Sequence, residues 1–382
     1  MFDYYQKYTK YKSKYLILKK YKKGGKLFDY CNLPRNADLH FGSGGSDAII
    51  AVLDDIVYKY FPIFVGFYDP KIKEIINLIK YEIMVIKKLT EKFVYTNKTP
   101  HIVKYYNYYK CDKIPSNIFN ICDSYVKYLT EKKQFNNQCD LLYKKGYPRK
   151  LISPMFILEM EKVSNSLENS IIEISKKKWK EIEIFLDRLF FQIFFTLEII
   201  KTIYPNYIHN DLFIRNILTE NNKGLNNKFI RYKYKNNFFD LPANGLFIKI
   251  NDFSMNQLSK SFYIKNNKNN LIINDHYRDY FSIIYDVYNG ANLGSKSLKT
   301  LIKNKNKLEK IDKYFNKFIN VKIINKIIKN NKKNHLDWDW GKTEDPNVIK
   351  LFGLKPIKYY ILYFINIFQY NKNNEIVYEF GI

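Results

Sequence analysis

One run of residues constrains this chain more than any other feature. Ile171 to Ile203 carries apolar residues at helical period. It leads into Tyr207-Ile208-His209-Asn210-Asp211-Leu212-Phe213-Ile214-Arg215-Asn216-Ile217-Leu218. An asparagine thus stands five positions after an aspartate. Further on, Ile248-Lys249-Ile250-Asn251-Asp252-Phe253-Ser254 reads as a strand ending in Asp-Phe. Taken singly, each of these residues is an ordinary loop cap. Together they form the set that phosphoryl transfer needs. One carboxylate accepts or orients the proton of an attacking hydroxyl, while an amide oxygen and a second carboxylate hold Mg²⁺ between phosphates.

These motifs resemble those of the eukaryotic-type protein kinase superfamily, in a divergent form similar to the serine/threonine kinases of large cytoplasmic DNA viruses. His209-Asn210-Asp211 with Asn216 is similar to H-R-D-x-x-x-x-N, and Asp252-Phe253-Ser254 to D-F-G. The resemblance implies ATP and Mg²⁺ as cofactors, Asp211 as catalytic base, and Asn216 and Asp252 as metal ligands. It also makes demands upstream. Residues 41–48 resemble a G-x-G turn, so Gly42, Ser43, Gly44, Gly45 and Ser46 would cover the phosphates. Asp47 stands where a third glycine is usual. Ile56-Val57-Tyr58-Lys59 resembles V-A-I-K, placing Lys59 on the α/β-phosphates and Val57 over the adenine. Glu82 would hold Lys59, with Glu74 as the alternative. Met155–Glu161 resembles a fifth strand entering a hinge. Leu158 would be its gatekeeper, and the backbone of Glu159, Met160 and Glu161 would bind the adenine edge. Asp279-Tyr280-Phe281-Ser282-Ile283-Ile284 resembles the helix whose aspartate braces the catalytic loop.

The chain also departs from the pattern. Asn210 replaces the arginine of H-R-D, which argues against switching by a phosphorylated activation loop. Ser254 replaces the glycine of D-F-G. Phe213 stands where serine/threonine kinases carry a lysine, and Arg215 is assigned to the transferring phosphate or the substrate hydroxyl. No A-P-E follows, and only 27 positions separate Asp252 from Asp279. The implied fold is α+β and two-lobed, protein-kinase-like, with a small β-rich N-lobe and a larger helical C-lobe. A basic arm over 1–35 precedes an N-lobe over 36–160 with an insertion near 111–150. The C-lobe spans 161–382, with an insertion near 220–245. The expected activity is Mg²⁺/ATP-dependent transfer to Ser/Thr of a protein substrate. The alternatives are a small-molecule kinase of the choline, ethanolamine or aminoglycoside type, a pseudokinase scaffold, and a basic nucleic-acid-binding protein. The full set of metal-binding side chains argues against the scaffold.

Composition bears on the last alternative. Lys and Arg number 64 against 37 acids, a net charge of +27 over 382 residues. Only six are Arg, whereas base readout favours the arginine fork. The excess of Lys, Asn, Ile and Tyr reads first as AT-rich coding bias. Within 1–26, Tyr4, Tyr8, Tyr11, Tyr15 and Leu18 share one helical stripe among nine lysines. That segment is a candidate arm for an acidic surface or nucleic acid. The segment and the composition resemble the Tyr/Lys-rich N-termini of many proteins of large cytoplasmic DNA viruses, and that resemblance implies a viral protein of the host cytoplasm or the virion. No apolar run reaches the roughly 20 residues of a membrane span, and no signal peptide is evident. Four cysteines in a chain this long predict reduced thiols rather than a disulfide framework. The Asn/Lys-rich stretches at 220–236 and 264–271 read as exposed insertions. Residues 335–340 hold one His and two Asp, a poor zinc set that reads better as loop packing. The lysines of 303–333 read as a solvated helix face.

Overall fold

The computed structural model describes residues 31, 48–53, 55–61, 72–112, 155–222, 226–254, 256, 258, 278–290, 296–330 and 357–381. The Gly-rich turn, the N-terminal arm apart from Cys31, the segment 113–150, residues 264–271 and residues 335–340 lie outside them. The structure is mixed α/β, and the chain divides into two compact units. One comprises 1–91 and 103–162, the other 92–102 and 163–382.

The first unit is built on an antiparallel sheet. Strands β1 (Ile49–Leu53) and β2 (Ile56–Phe61) form a hairpin. Helix α1 (Ile72–Leu89) follows, and then β3 (Tyr105–Cys111) and β4 (Met155–Glu161). The sheet order is β1-β2-β4-β3, so β4 is paired on both edges. Met155 to Met160 are all buried, the acid Glu159 among them. In α1, buried Ile79, Tyr81, Ile83, Val85, Ile86 and Leu89 alternate with exposed lysines at helical period. The helix ends in a wide turn over Thr90–Val94, where the Thr90 hydroxyl accepts the Tyr105 N–H at 3.0 Å. Contrary to the expectation of reduced thiols, Cys31 and Cys111 are joined in a disulfide across a sequence separation of 80. A pairing of this kind depends on tertiary placement that cysteine spacing does not encode.

The second unit is centred on one helix. β5 (Asn165–Ser166) leads to α2 (Leu167–Ser175), and α3 runs Trp179–Ile203. The single helix expected over 171–203 is therefore two. Ser166 caps α2 through the Asn169 N–H, and Glu181 accepts the Lys178 N–H at the start of α3. Leu186, Leu189, Phe190, Phe191, Ile193 and Phe194 are fully buried, as expected of a helix apolar on every side. Its rings meet later elements edge-on: Phe190 meets Phe315 at 5.9 Å and Phe191 meets Phe364 at 5.6 Å. After α3 come β6 (Ile217–Asn222), β7 (Lys228–Tyr234), β8 (Asn237–Pro242) and β9 (Gly245–Ile250). Then follow α4 (Arg278–Asn289), α5 (Leu298–Leu301), α6 (Lys305–Phe315), α7 (Val321–Asn330), α8 (Ile357–Leu362) and β10 (Glu375–Gly381). The sheets are β5-β6-β9 and β10-β7-β8.

The stretch expected to be an exposed insertion at 220–236 is instead, over its described residues, built into this unit. In β7, Ile230, Tyr232 and Tyr234 are buried at every second position, and β8 buries Phe239 and Leu241. Tyr232 packs on Phe195 at 4.9 Å, and Phe239 on Phe191 at 5.0 Å. Lysines and asparagines at the intervening positions hide a period-two pattern. The C-terminal region, part of a lobe expected to be mainly helical, closes with β10 pairing parallel to β7. On α6 the face carrying Lys305, Lys310 and Lys313 is exposed, while Ile311, Tyr314 and Phe315 are buried. No helix among the described residues is long and apolar enough to cross a membrane.

Candidate active site

The site in the second unit begins with a polar side chain inside the apolar helix. Gln192 is fully buried on α3. Its Nε2 donates to the Leu246 carbonyl at 3.1 Å, and its Oε1 accepts the Ile248 N–H at 3.1 Å. The amide thus fixes β9 as a neighbouring strand would. β9 pairs with β6, and its end delivers Asn251, Asp252 and Phe253 beside the loop 207–216. The Asn251 N–H donates to the Asn216 carbonyl at 2.9 Å. The Asn251 carbonyl accepts from His209 Nε2 at 3.1 Å, which assigns the proton to Nε2. His209 is fully buried, and its ring lies 5.2 Å from the buried Phe253 ring.

Two carboxylates on α4 brace the same loop. Asp279 accepts the His209 N–H at 2.6 Å and the Asn210 N–H at 3.0 Å. Asp286 accepts the Ile214 N–H at 2.7 Å. Both are buried. They stand two helical turns apart and hold the loop on either side of Asp211. The Asp279 brace agrees with the sequence reading. Asp286 was missed, and its signal was an acid seven positions after Asp279 on an otherwise apolar face. Asn210 sits at φ 64° and Asp252 at φ 58°. Asn enters this left-handed region more readily than most residues, which gives a backbone reason for asparagine at position 210.

Asp211, Arg215 and Asn216 are brought together. The Asn216 Nδ2 donates to the Asp211 carboxylate at 2.6 Å and to its carbonyl at 2.7 Å. The Arg215 guanidinium pairs with the other carboxylate oxygen and also lies 4.7 Å from the Phe213 ring centre. Burial pushes the Asp211 carboxyl above the usual aspartate range, and the charge of Asp252 adds to that. Arg215, His209 and the Asn216 hydrogen bond pull it down only in part. With its nitrogen spent on Asp211, Asn216 presents its amide oxygen as the remaining polar atom.

In the first unit, Lys59 Nζ pairs with Glu82 Oε1 at 2.6 Å, both largely buried. The register places Lys59 opposite Leu158 and Val57 opposite Met160. Glu74 is exposed near the start of α1. The structure places Glu159 and Met160 inside the ladder, between β2 and β3. The Glu159 carboxylate accepts from the Tyr109 hydroxyl. The Glu161 N–H donates to the Lys104 carbonyl at 3.0 Å, and the Lys162 N–H to the Asp55 carbonyl at 3.1 Å. The next N–H along the chain is that of Val163. Gly42, Ser43, Gly44, Gly45 and Ser46 lie outside the described residues.

The chain is 34% identical to a "putative serine/threonine-protein kinase" of Acanthamoeba polyphaga mimivirus, over 76% of its own length and 79% of that protein. It belongs to a divergent kinase-like family of large DNA viruses. No family model matches the sequence. Among the described residues, no group of three or more His, Cys, Asp or Glu forms a metal cage. In a kinase-like chain that is the expected economy. Mg²⁺ is commonly held by one or two protein oxygens together with substrate phosphates. Asn216 and Asp252 are of the right chemistry for that arrangement.

Proposed function

We propose that the chain is a Mg²⁺/ATP-dependent phosphotransferase with a two-lobed kinase fold, acting on serine or threonine of a protein. The observation that carries this reading is the Asp211–Asn216 pair at 2.6 Å, on a loop held by Asp279 and Asp286 and joined by Asn251 to the strand end bearing Asp252. In the proposed reaction the acceptor hydroxyl oxygen bonds to the γ-phosphorus of ATP. The bond from that phosphorus to ADP breaks, and the hydroxyl proton passes to Asp211. A carboxylate with a raised pKa suits that task better than one held fully ionised.

Lys59, oriented by Glu82, would neutralise charge on the α- and β-phosphates. Residues 42–46 would cover those phosphates, and Val57 would lie over the adenine. The Glu161 and Lys162 N–H groups are already paired, so in this reading the adenine-edge contact extends along the chain to the Val163 N–H. Asn216 and Asp252 would hold Mg²⁺, whose charge would offset that developing on the phosphates. Arg215, half-exposed and paired with Asp211, is suited to turn toward an incoming phosphate or acceptor.

The test is transfer of labelled γ-phosphate from Mg²⁺-ATP to the chain itself and to basic and acidic protein substrates, with D211A alongside. Label on phosphoserine or phosphothreonine that disappears in D211A supports the reading. Transfer only to an amino alcohol would turn it into a small-molecule kinase. ATP binding with no transfer would turn it into a scaffold.

A further inference from the structure

A second feature of the larger unit has no part in the proposed transfer reaction. A groove of about 720 Å³ opens between α2, the start of α3 and the β6–β9 edge. Arg188 lines it from α3 and is only 8% exposed. A guanidinium offers five N–H donors. Here one nitrogen, Nη1, donates to the Asn244 carbonyl, and no carboxylate lies within ion-pair distance among the described residues. Glycine is required where the chain passes this group. Gly245 has φ +99°, and a Cβ there would come within 2.8 Å of Arg188 Nη1.

Burying an arginine without a counter-ion is costly, and burial pulls its pKa down. Buried cations in proteins are normally paired. The remaining lining is rich in neutral hydrogen-bonding groups, including Asn221, Asn222 and Asn226. It also carries Glu173 and Glu181, neither of which pairs with Arg188, together with Lys177. These acids disfavour a bare anion and favour one flanked by cations. We propose that this groove binds an oxyanion, phosphate or carboxylate, on a ligand that carries positive charges beside it, with Arg188 as the receptor for the anion. A short basic peptide segment with one phosphorylated or acidic residue has that chemistry. Guanidinium pairs with either oxyanion in a fork, which gives direction as well as attraction. The proposal does not depend on catalysis.

The experiment is calorimetric titration of the full chain with three probes: inorganic phosphate, a lysine-phosphoserine-lysine tripeptide and a lysine-aspartate-lysine tripeptide. The expected result is binding of at least one tripeptide more tightly than free phosphate. R188Q should weaken it at least tenfold without lowering Tm, because an unpaired buried charge is removed. Preference between the two tripeptides identifies the source of the oxyanion. N244D, at a half-buried lining position, adds a carboxylate to the groove and should also weaken the peptide, with Tm unchanged or raised. D211N should bind the peptide as the wild type does. The proposal is overturned if no probe binds, or if R188Q binds as tightly as the wild type. Should R188Q fail to fold, N244D decides, and unchanged affinity there overturns it.

Discussion

Among its described residues the larger unit holds two arginine–aspartate pairs, and they are built to opposite ends. Arg231 grips Asp240 with both arms of its fork, Nε at 2.8 Å and Nη2 at 3.0 Å. The Asn371 N–H and the Asn374 amide complete the shell at 3.0 Å each, and the Asp240 side chain is fully buried. Burial alone would raise the Asp240 pKa, but Arg231, Asn371 and Asn374 outweigh it and hold the carboxyl below the usual range. Arg215 touches Asp211 with one nitrogen, four residues along the chain, and its side chain is 48% exposed. There burial wins, and the Asp211 carboxyl lies above the usual range. A pair that holds structure satisfies its acid completely. In the proposed reaction the Arg215–Asp211 pair leaves its acid only partly compensated for burial, so that a proton could arrive.

The sharpest test of that contrast replaces each acid by its amide. D211N should reduce phosphotransfer about 10³-fold, the loss of a positioned base. It should leave Tm unchanged or higher, since the amide resembles the protonated form that burial favours. D240N should do the reverse. Removing one partner of a buried pair costs about 3 kcal/mol in urea unfolding, while the transfer rate of the folded enzyme stays near wild type. The signs follow from linkage. Asp240, with a lowered folded pKa, contributes stability that is present at neutral pH and lost as pH falls through that value. Asp211, with a raised folded pKa, favours the fold most at low pH and loses that contribution as pH rises. If D240N silenced transfer as D211N does, the division between structural and chemical pairs would fail.

What the sequence revealed of this arrangement follows the same division. The residues of the proposed chemistry sit at fixed spacing along short segments, so Asp211, Asn216, Asp252 and the bracing Asp279 could be read together. Lys59 and Glu82 could be paired only through the family resemblance, because a strand and a helix separate them. The structural groups left weaker traces. Gln192 appeared as a blemish in an apolar run, although it fixes the strand that carries Asp252. The β7–β8 hairpin vanished under lysine and asparagine, because composition bias at its exposed positions drowned the alternation of Ile230, Tyr232 and Tyr234. The Cys31–Cys111 disulfide and the Arg231–Asp240 pair depend on where strands meet, which no local pattern records. The β4 register needed the sheet itself.

A smaller effect is expected where structure and chemistry share one residue. Asp286 touches no substrate in the proposed reaction and acts through the Ile214 N–H. D286A should lower kcat about tenfold by leaving that buried donor unpaired and the loop less fixed. KM for ATP should change little, because the nucleotide contacts are elsewhere. D286N retains an acceptor oxygen at the same place and should recover most of the rate. A residue that merely supported the fold would lower Tm and active fraction together without separating kcat from KM, and D286N would not rescue selectively.

The finest test removes the cation from each pair. In the proposed reaction the transfer rate should rise with pH as Asp211 ionises. Arg215 pulls the Asp211 pKa down, so R215A should move the acid limb of kcat/KM to higher pH. Because the pair is half-exposed, the rate on the plateau should fall only about threefold. R231A should leave that limb where it is and reduce stability instead, since Asp240 would lose the fork that keeps it ionised. A limb that stays still in R215A, with a plateau loss of about a hundredfold, would assign Arg215 to the transferring phosphate, where a missing cation costs on that scale. The pairing with Asp211 would then be a resting position rather than a means of tuning the base. The same two arginines thus separate three uses of one ion pair: holding a fold, setting a pKa and waiting for a phosphate.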